Sequence, residues 1–316
     1  MKKVVSVALA MVMALVFVAC STGASTPASS SVAGNSTGGS SASLGTVGFS
    51  ISTLNNPFFV SMADGAKSKA AELGVDLIVS DAGNDAAKQT SDIEDLVSKN
   101  VKVLIVNPVD SAAVAPVIQD VLDKGIKVIA VDRYVDGIDV DTYIGTDNVA
   151  AAKVAGEYFI SQVGEGSKII ILEGIPGASS AIDRLAGFME AAEGKLDIVA
   201  SQTANYDRAE GLTVTEDLLQ AHPDVVGIFA MNDEMGLGAI EAVTAAGKVP
   251  GKDILVTGFD AGDDARAAVE EGTMLYTVEQ KTVLMGETAV ESALKYMQGE
   301  TVEANIPIEV EIITKA

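Results

Sequence analysis

Val103-Leu104-Ile105-Val106, followed at once by Asn107, decides the fold, because the chain repeats this pattern. Val128-Ile129-Ala130-Val131 ends at Asp132-Arg133, and Gly227-Ile228-Phe229-Ala230-Met231 ends at Asn232-Asp233. Ile254-Leu255-Val256-Thr257-Gly258-Phe259 ends at Asp260, and Val47-Gly48-Phe49-Ser50-Ile51 ends at Ser52. Short, continuous apolar runs are the signature of strands buried on both faces of a parallel sheet. The carboxyl ends of such strands line the ligand crevice of an open α/β sheet. A sheet that sets Asn, Asp, Arg and Ser there is equipped to hydrogen-bond a polar molecule.

Outward from these runs, strands near 46–51, 76–80, 101–106 and 127–131 alternate with helical stretches near 58–73, 86–99 and 111–124. Gly74 and Gly125 stand where helix C-caps belong. After Asp147 the alternation restarts, with strands near 168–172, 197–202, 226–230, 253–257 and 274–278. Alternation of this kind predicts right-handed βαβ units, so the fold class is α/β with two Rossmann-like, doubly wound parallel-sheet lobes. The 316-residue length agrees, being more than one compact core holds. Ile308 to Ile313 reads as one late strand that returns to a sheet already built. The chain therefore crosses between lobes more than once, which makes a hinge.

Residues 1–20 read as a secretion signal: Lys2-Lys3, an apolar stretch from Val4 to Val18, then Ala19 and Cys20. Cys20 is the only cysteine, so no disulfide forms within the chain. Its place resembles a lipoprotein lipobox, with Phe17 where that motif has Leu, and implies a lipidated Cys20. Residues 21–43 are almost entirely Ser, Thr, Gly and Ala, with no charge and one valine, and read as a flexible tether of about 25 Å mean span. The 44 acidic against 21 basic residues, a net charge of −23, oppose nucleic-acid and anionic-lipid binding. Membrane contact is expected through the lipid anchor alone.

Enzyme chemistry has no visible machinery. The single histidine, His222 in Ala221-His222-Pro223-Asp224, reads as a helix C-cap or surface residue. One His and one processed Cys build neither a metal cage nor a Cys–His pair. Gly236-Leu237-Gly238-Ala239-Ile240-Glu241 fails the dinucleotide fingerprint at its last position, and Gly247-Lys248-Val249 fails the phosphate loop. No catalytic residue, metal or cofactor is expected. In Leu54-Asn55-Asn56-Pro57-Phe58-Phe59, two adjacent aromatics follow a strand in a chain only 4% aromatic. They read equally as a core anchor and as flat rings against the C–H face of a sugar.

Ser52-Thr53-Leu54-Asn55-Asn56-Pro57-Phe58-Phe59, Val131-Asp132-Arg133, Ala221-His222-Pro223-Asp224, Asn232-Asp233-Glu234-Met235 and Gly258-Phe259-Asp260 together resemble the bacterial ribose-binding proteins of sugar ABC transporters. The likeness runs from about Thr46 to the C-terminus. It implies two lobes joined by a three-crossing hinge, 44–146 plus 281–309 and 147–280 plus 310–316, closing on a sugar. It implies sugar contacts from Ser52, Asn56, Phe58, Phe59, Asn107, Asp132 and Arg133 on one side. From the other it implies Arg184, Tyr206, Asn232, Phe259, Asp260 and Gln280, with Phe58, Phe59, Tyr206 and Phe259 sandwiching the ring. As structure alone, Asp132-Arg133 also reads as a buried ion pair, Phe259 as core, and Asn107 before Pro108 as a turn residue.

Three departures from that family stand out. Tyr206 replaces Phe, Ile182 replaces a second Arg near Arg184, and about three extra residues around Val249-Pro250-Gly251 lengthen a surface loop. The expectation is an exported, lipid-anchored monomer that captures D-ribose by hinge closure. It would deliver the sugar to a membrane permease, with a chemoreceptor as a further partner. Allose, xylose or a furanose-like signal molecule are the nearest alternatives. A sugar-sensing repressor core would need a basic DNA-binding segment where the signal and tether stand, and an enzyme would need catalytic groups.

Overall fold

The computed structural model describes residues 45–316. The secretion signal, Cys20, the tether 21–43 and the expected first residue of the lobe, 44, lie outside the described residues. In chain order the first run gives β1 (Thr46–Ile51), α1 (Pro57–Leu73), β2 (Asp76–Asp81), α2 (Ala86–Ser98), β3 (Val103–Val106), α3 (Ala115–Asp123), β4 (Lys127–Val131) and β5 (Thr142–Gly145). The second gives α4 (Asn148–Val163), β6 (Lys168–Glu173), α5 (Ser179–Ala192), β7 (Asp197–Thr203), α6 (Arg208–Ala221), β8 (Gly227–Ala230), α7 (Asp233–Ala245), β9 (Leu255–Val256), α8 (Asp263–Glu271) and β10 (Tyr276–Glu279). Then come α9 (Thr282–Met297), β11 (Asn305–Pro307) and β12 (Glu311–Thr314).

One sheet runs β11-β5-β4-β3-β1-β2, every pair parallel. Its faces carry separate cores, one with Met62, Ala66, Met285 and Ala289 from α1 and α9, the other with Ile93, Leu96, Ile118 and Val121 from α2 and α3. That two-sided cover is why its strands are apolar throughout. The second lobe holds the parallel sheet β7-β6-β8-β9 and the antiparallel pair β10-β12. Bridges from Thr257 to Tyr276 and from Asp260 to Glu279 tie β10 to the chain that follows β9. The rings of Phe188 and Phe229 stack 3.8 Å apart in its core. Among the described residues no helix is long and apolar enough to cross a membrane.

Local chemistry sets the helix that carries the aromatic pair. Pro57 fills the first turn of α1, and Asn56 Oδ1 accepts the Phe58 N–H at 2.9 Å. The helix stops at Gly74 in the left-handed conformation, φ 68°. α9 then lies tightly on α1. A Cβ on Gly65 would sit 2.5 Å from the Val283 carbonyl oxygen, and one on Gly286 2.1 Å from that of Met62. His222 is the C-cap of α6, and Val249 is exposed.

The chain passes between the sheets three times, at 146–147, 280–281 and 308–310. The last passage corrects a sequence expectation: Ile308–Ile313 is not one strand. Ile308 donates its N–H to the Gly145 carbonyl and buries in the first lobe, whereas Ile312 packs into the second. A period of two reports extended backbone and is silent about which sheet receives it.

Candidate functional site

The carboxyl ends of the strands meet between the lobes around a small cavity. From the first lobe it is lined by Asn56, Phe58 and Phe59 after β1 and by Asp132 and Arg133 after β4. Ser180 and Arg184 of α5, Tyr206 after β7, Asn232 after β8 and Asp260 after β9 line it from the second.

Asp132 sits at φ 64°, a left-handed conformation that costs energy for a residue with a Cβ and that Asp tolerates better than most. Its Oδ2 accepts from Asn107 Nδ2 at 3.0 Å and lies 3.6 Å from Arg133 Nε. Its Oδ1 is buried with no hydrogen-bond partner. Such an oxygen is costly to bury and points to a donor from outside the protein. Burial pushes the Asp132 carboxyl up, against the pull of Arg133, Arg184 and Asn107. Burial also pulls the Arg133 guanidinium down, while Asp132 raises it. Arg133 Nη1 donates to the Pro108 carbonyl at 2.8 Å, and its Cζ lies 5.1 Å from the Phe59 ring centre.

The opposite wall repeats the acid–base pairing with parts from several elements. Arg184 donates from Nε to Asn148 Oδ1 at 2.8 Å and from Nη1 to the Met231 carbonyl at 2.7 Å. Its guanidinium lies over Phe259, 3.8 Å from the ring centre, with Nη1 3.7 Å from Asp260 Oδ1. Asp260, at φ 125°, accepts from Gln280 Nε2 at 2.7 Å. Burial drives its carboxyl well above the usual range, Arg184 opposes that, and Asp233 and Asp132 add to it.

The strained turn bearing Asp260 is tied down by Asp233. Asp233 Oδ1 accepts from Thr277 Oγ1 at 2.6 Å and Oδ2 from the Gly262 N–H at 2.8 Å. Burial pushes Asp233 up to about 6.

Two asparagines meet at Tyr206, itself at φ 58°. Asn56 and Asn232 each cap a helix with the side-chain oxygen, which leaves the amide free to donate. Both amides donate to the Tyr206 carbonyl, at 3.3 and 3.4 Å, one from each lobe. Further bonds cross the cleft: Arg133 Nε to Ser180 Oγ, the Tyr134 N–H to Ser179 Oγ, Tyr134 Oη to Asp183, and the Ser111 N–H to the Gly177 carbonyl. The lobes are shut on one another.

Nine of the thirteen residues expected at the site face the cavity. The other four stand one layer behind. The Ser52 N–H donates to Asn107 Oδ1, Asn107 and Gln280 hold the two carboxylates, and Phe259 carries Arg184 on its ring face. Ser180 lines the cavity and was not expected; its spacing of four from Arg184 on one helix was the available signal. Ile182 is 54% exposed, on the outer face of α5 and away from the cavity. Among the described residues no group of His, Cys, Asp or Glu is arranged to hold a metal ion.

A crevice between two hinged lobes, walled by buried charges, defines a solute-binding protein. The chain belongs to the periplasmic binding protein family, whose domain model matches residues 47–301. That family is one of extracytoplasmic binding proteins and not of enzymes. It is 42% identical over 270 residues to the ribose import binding protein of Bacillus subtilis (strain 168), covering 85% of this chain and 87% of that one. It is 35% identical over 252 residues to the D-allose-binding periplasmic protein of Escherichia coli (strain K12), covering 76% and 80%. The Caulobacter myo-inositol binding protein, solved with myo-inositol, superposes with a TM-score of 0.83 at 35% identity, covering 86% and 94%.

Proposed function

We propose that this protein captures a monosaccharide, D-ribose first among candidates, and presents it to the membrane permease of an ABC importer. The observation that carries the reading is the pair of buried acid–base walls, Asp132 with Arg133 and Arg184 with Asp260, facing one small cavity. Each carboxylate accepts O–H donors and each guanidinium donates in a fixed plane, which suits vicinal hydroxyls. The aromatic faces of Phe58, Phe59 and Tyr206 suit the C–H faces of the ring.

The lobes of this reading are 44–146 plus 281–309 and 147–280 plus 310–316, and the four residues behind the cavity act by holding the charged groups. Sugar contacts from both lobes would favour the shut form over an open one, and the shut form would dock on the permease. A chemoreceptor is a further partner in the same reading. The protein would act as a monomer tethered outside the membrane by a lipid on Cys20. Cys20→Ser should move it from the membrane fraction to the soluble one.

Allose is the second reading, because the D-allose-binding relative is 35% identical. Calorimetric titration of sugar-stripped protein with ribose, allose, xylose and other aldoses tests the proposal. One-to-one micromolar or tighter binding of ribose alone supports it, and absence of binding to every sugar ends it.

A further inference from the structure

The hydroxyl of Tyr206 is the most unusual polar group in the cavity. Its ring lies between the two guanidiniums, 5.8 Å from Arg133 Cζ and 5.9 Å from Arg184 Cζ. The position needs glycine opposite, since a Cβ on Gly174 would fall 2.1 Å from Tyr206 Cζ and 2.5 Å from its Oη. Tyr206 Oη stands 3.4 Å from Ser180 Oγ, which accepts from Arg133 Nε at 3.3 Å. Ser180 and Tyr206 are both buried and both line the cavity.

The two hydroxyls share one internal hydrogen bond. Whichever donates, the other proton of the pair is not used by it, and lone pairs remain as well. Arg133 supplies only donors, so it cannot take that proton. Burial also raises the phenol, which keeps it protonated.

We propose that Tyr206 and Ser180 form a specificity subsite that recognises one hydroxyl of the ligand as both donor and acceptor, with Gly174 providing the room. The inference rests on the sugar-binding reading above. The subsite selects a monosaccharide bearing a hydroxyl on the carbon that faces this pair and rejects the analogue deoxygenated there. A pocket built to pair an O–H discriminates against its loss far more than an apolar pocket discriminates against its gain.

Calorimetric titration of the full chain with the preferred sugar and each of its monodeoxy analogues tests this, in the parent, Tyr206→Phe and Ser180→Ala. In the parent one analogue should bind about tenfold to a hundredfold more weakly than expected from the others. Tyr206→Phe should weaken the full sugar about tenfold while leaving that one analogue within twofold of its parent affinity, so that its penalty collapses. Ser180→Ala should collapse the same penalty in part. Equal weakening of every ligand, or none, overturns the subsite while leaving sugar binding intact. A parent that binds no sugar overturns both readings.

Discussion

The two walls of the cavity carry the same charges and are built in opposite ways. In the first lobe, Asp132 and Arg133 are neighbours on one left-handed turn after β4, steadied by Asn107 from the next strand. In the second, Arg184 comes from α5 and Asp260 from a strained turn after β9. Phe259, Asn148, Gln280 and Asp233 hold them in place. A wall written in two adjacent residues depends on those residues. A wall assembled from five elements depends on its supports, and damage to a support should weaken binding without removing a contact.

The largest expected effect breaks the compact wall. Asp132→Ala leaves Arg133 buried without its acid, a change that costs about 3–5 kcal/mol when a buried pair is broken. Ribose affinity should fall more than a hundredfold by calorimetry, and unchanged affinity would remove Asp132 from the site. Arg184→Lys keeps the charge but loses the planar stack on Phe259 and the bond to Asn148. The expected loss is about tenfold to thirtyfold. Phe259→Leu should give a comparable loss if the ring acts through Arg184, and a much smaller one if it does not.

Acidity should separate the walls more gently. Asp132 and Asp260 are both held above the ordinary carboxylate range by burial, and sugar hydroxyls donate more strongly to their ionised forms. Binding is then coupled to proton release, so affinity should drop as the pH falls. Titrations in buffers of different ionisation heat should register the released protons, and a flat profile would mean that hydroxyls do not donate there. Asp233 acts on stability. Its folded-state value of about 6 lies above the ordinary value of about 3.9, so the native form holds the proton more tightly. Its share of stability is greatest below about 4 and is lost as pH rises through 6. Asp233→Asn should flatten that part of the melting-temperature profile. The smallest effect is expected at Ile182 on the outer face of α5, where Ile182→Ala should leave ribose affinity within twofold.

The first wall was legible because its signal is local: an apolar run, then Asp132-Arg133, with Asn107 at the end of the neighbouring run. In the second, Asp260 gave the same local signal at the end of an apolar run, whereas Arg184 was legible only through the likeness to a known family. Ser180 escaped notice because a serine at a helix start reads first as a cap. Phe259, Gln280, Asn107 and Ser52, expected against the ligand, do not line the cavity and instead support residues that do. Sequence gives a side chain's place on an element, while neighbours decide which surface it meets.

By itself the sequence determined two doubly wound lobes, polar residues at the strand ends and a hinge crossed more than once, because apolar periodicity and caps are properties of short segments. Only the tertiary structure laid Arg184 on Phe259 and brought Ser180 to Tyr206. Those pairings join residues from separate elements, and their energies exist only when burial strips away the water that would otherwise satisfy each group alone.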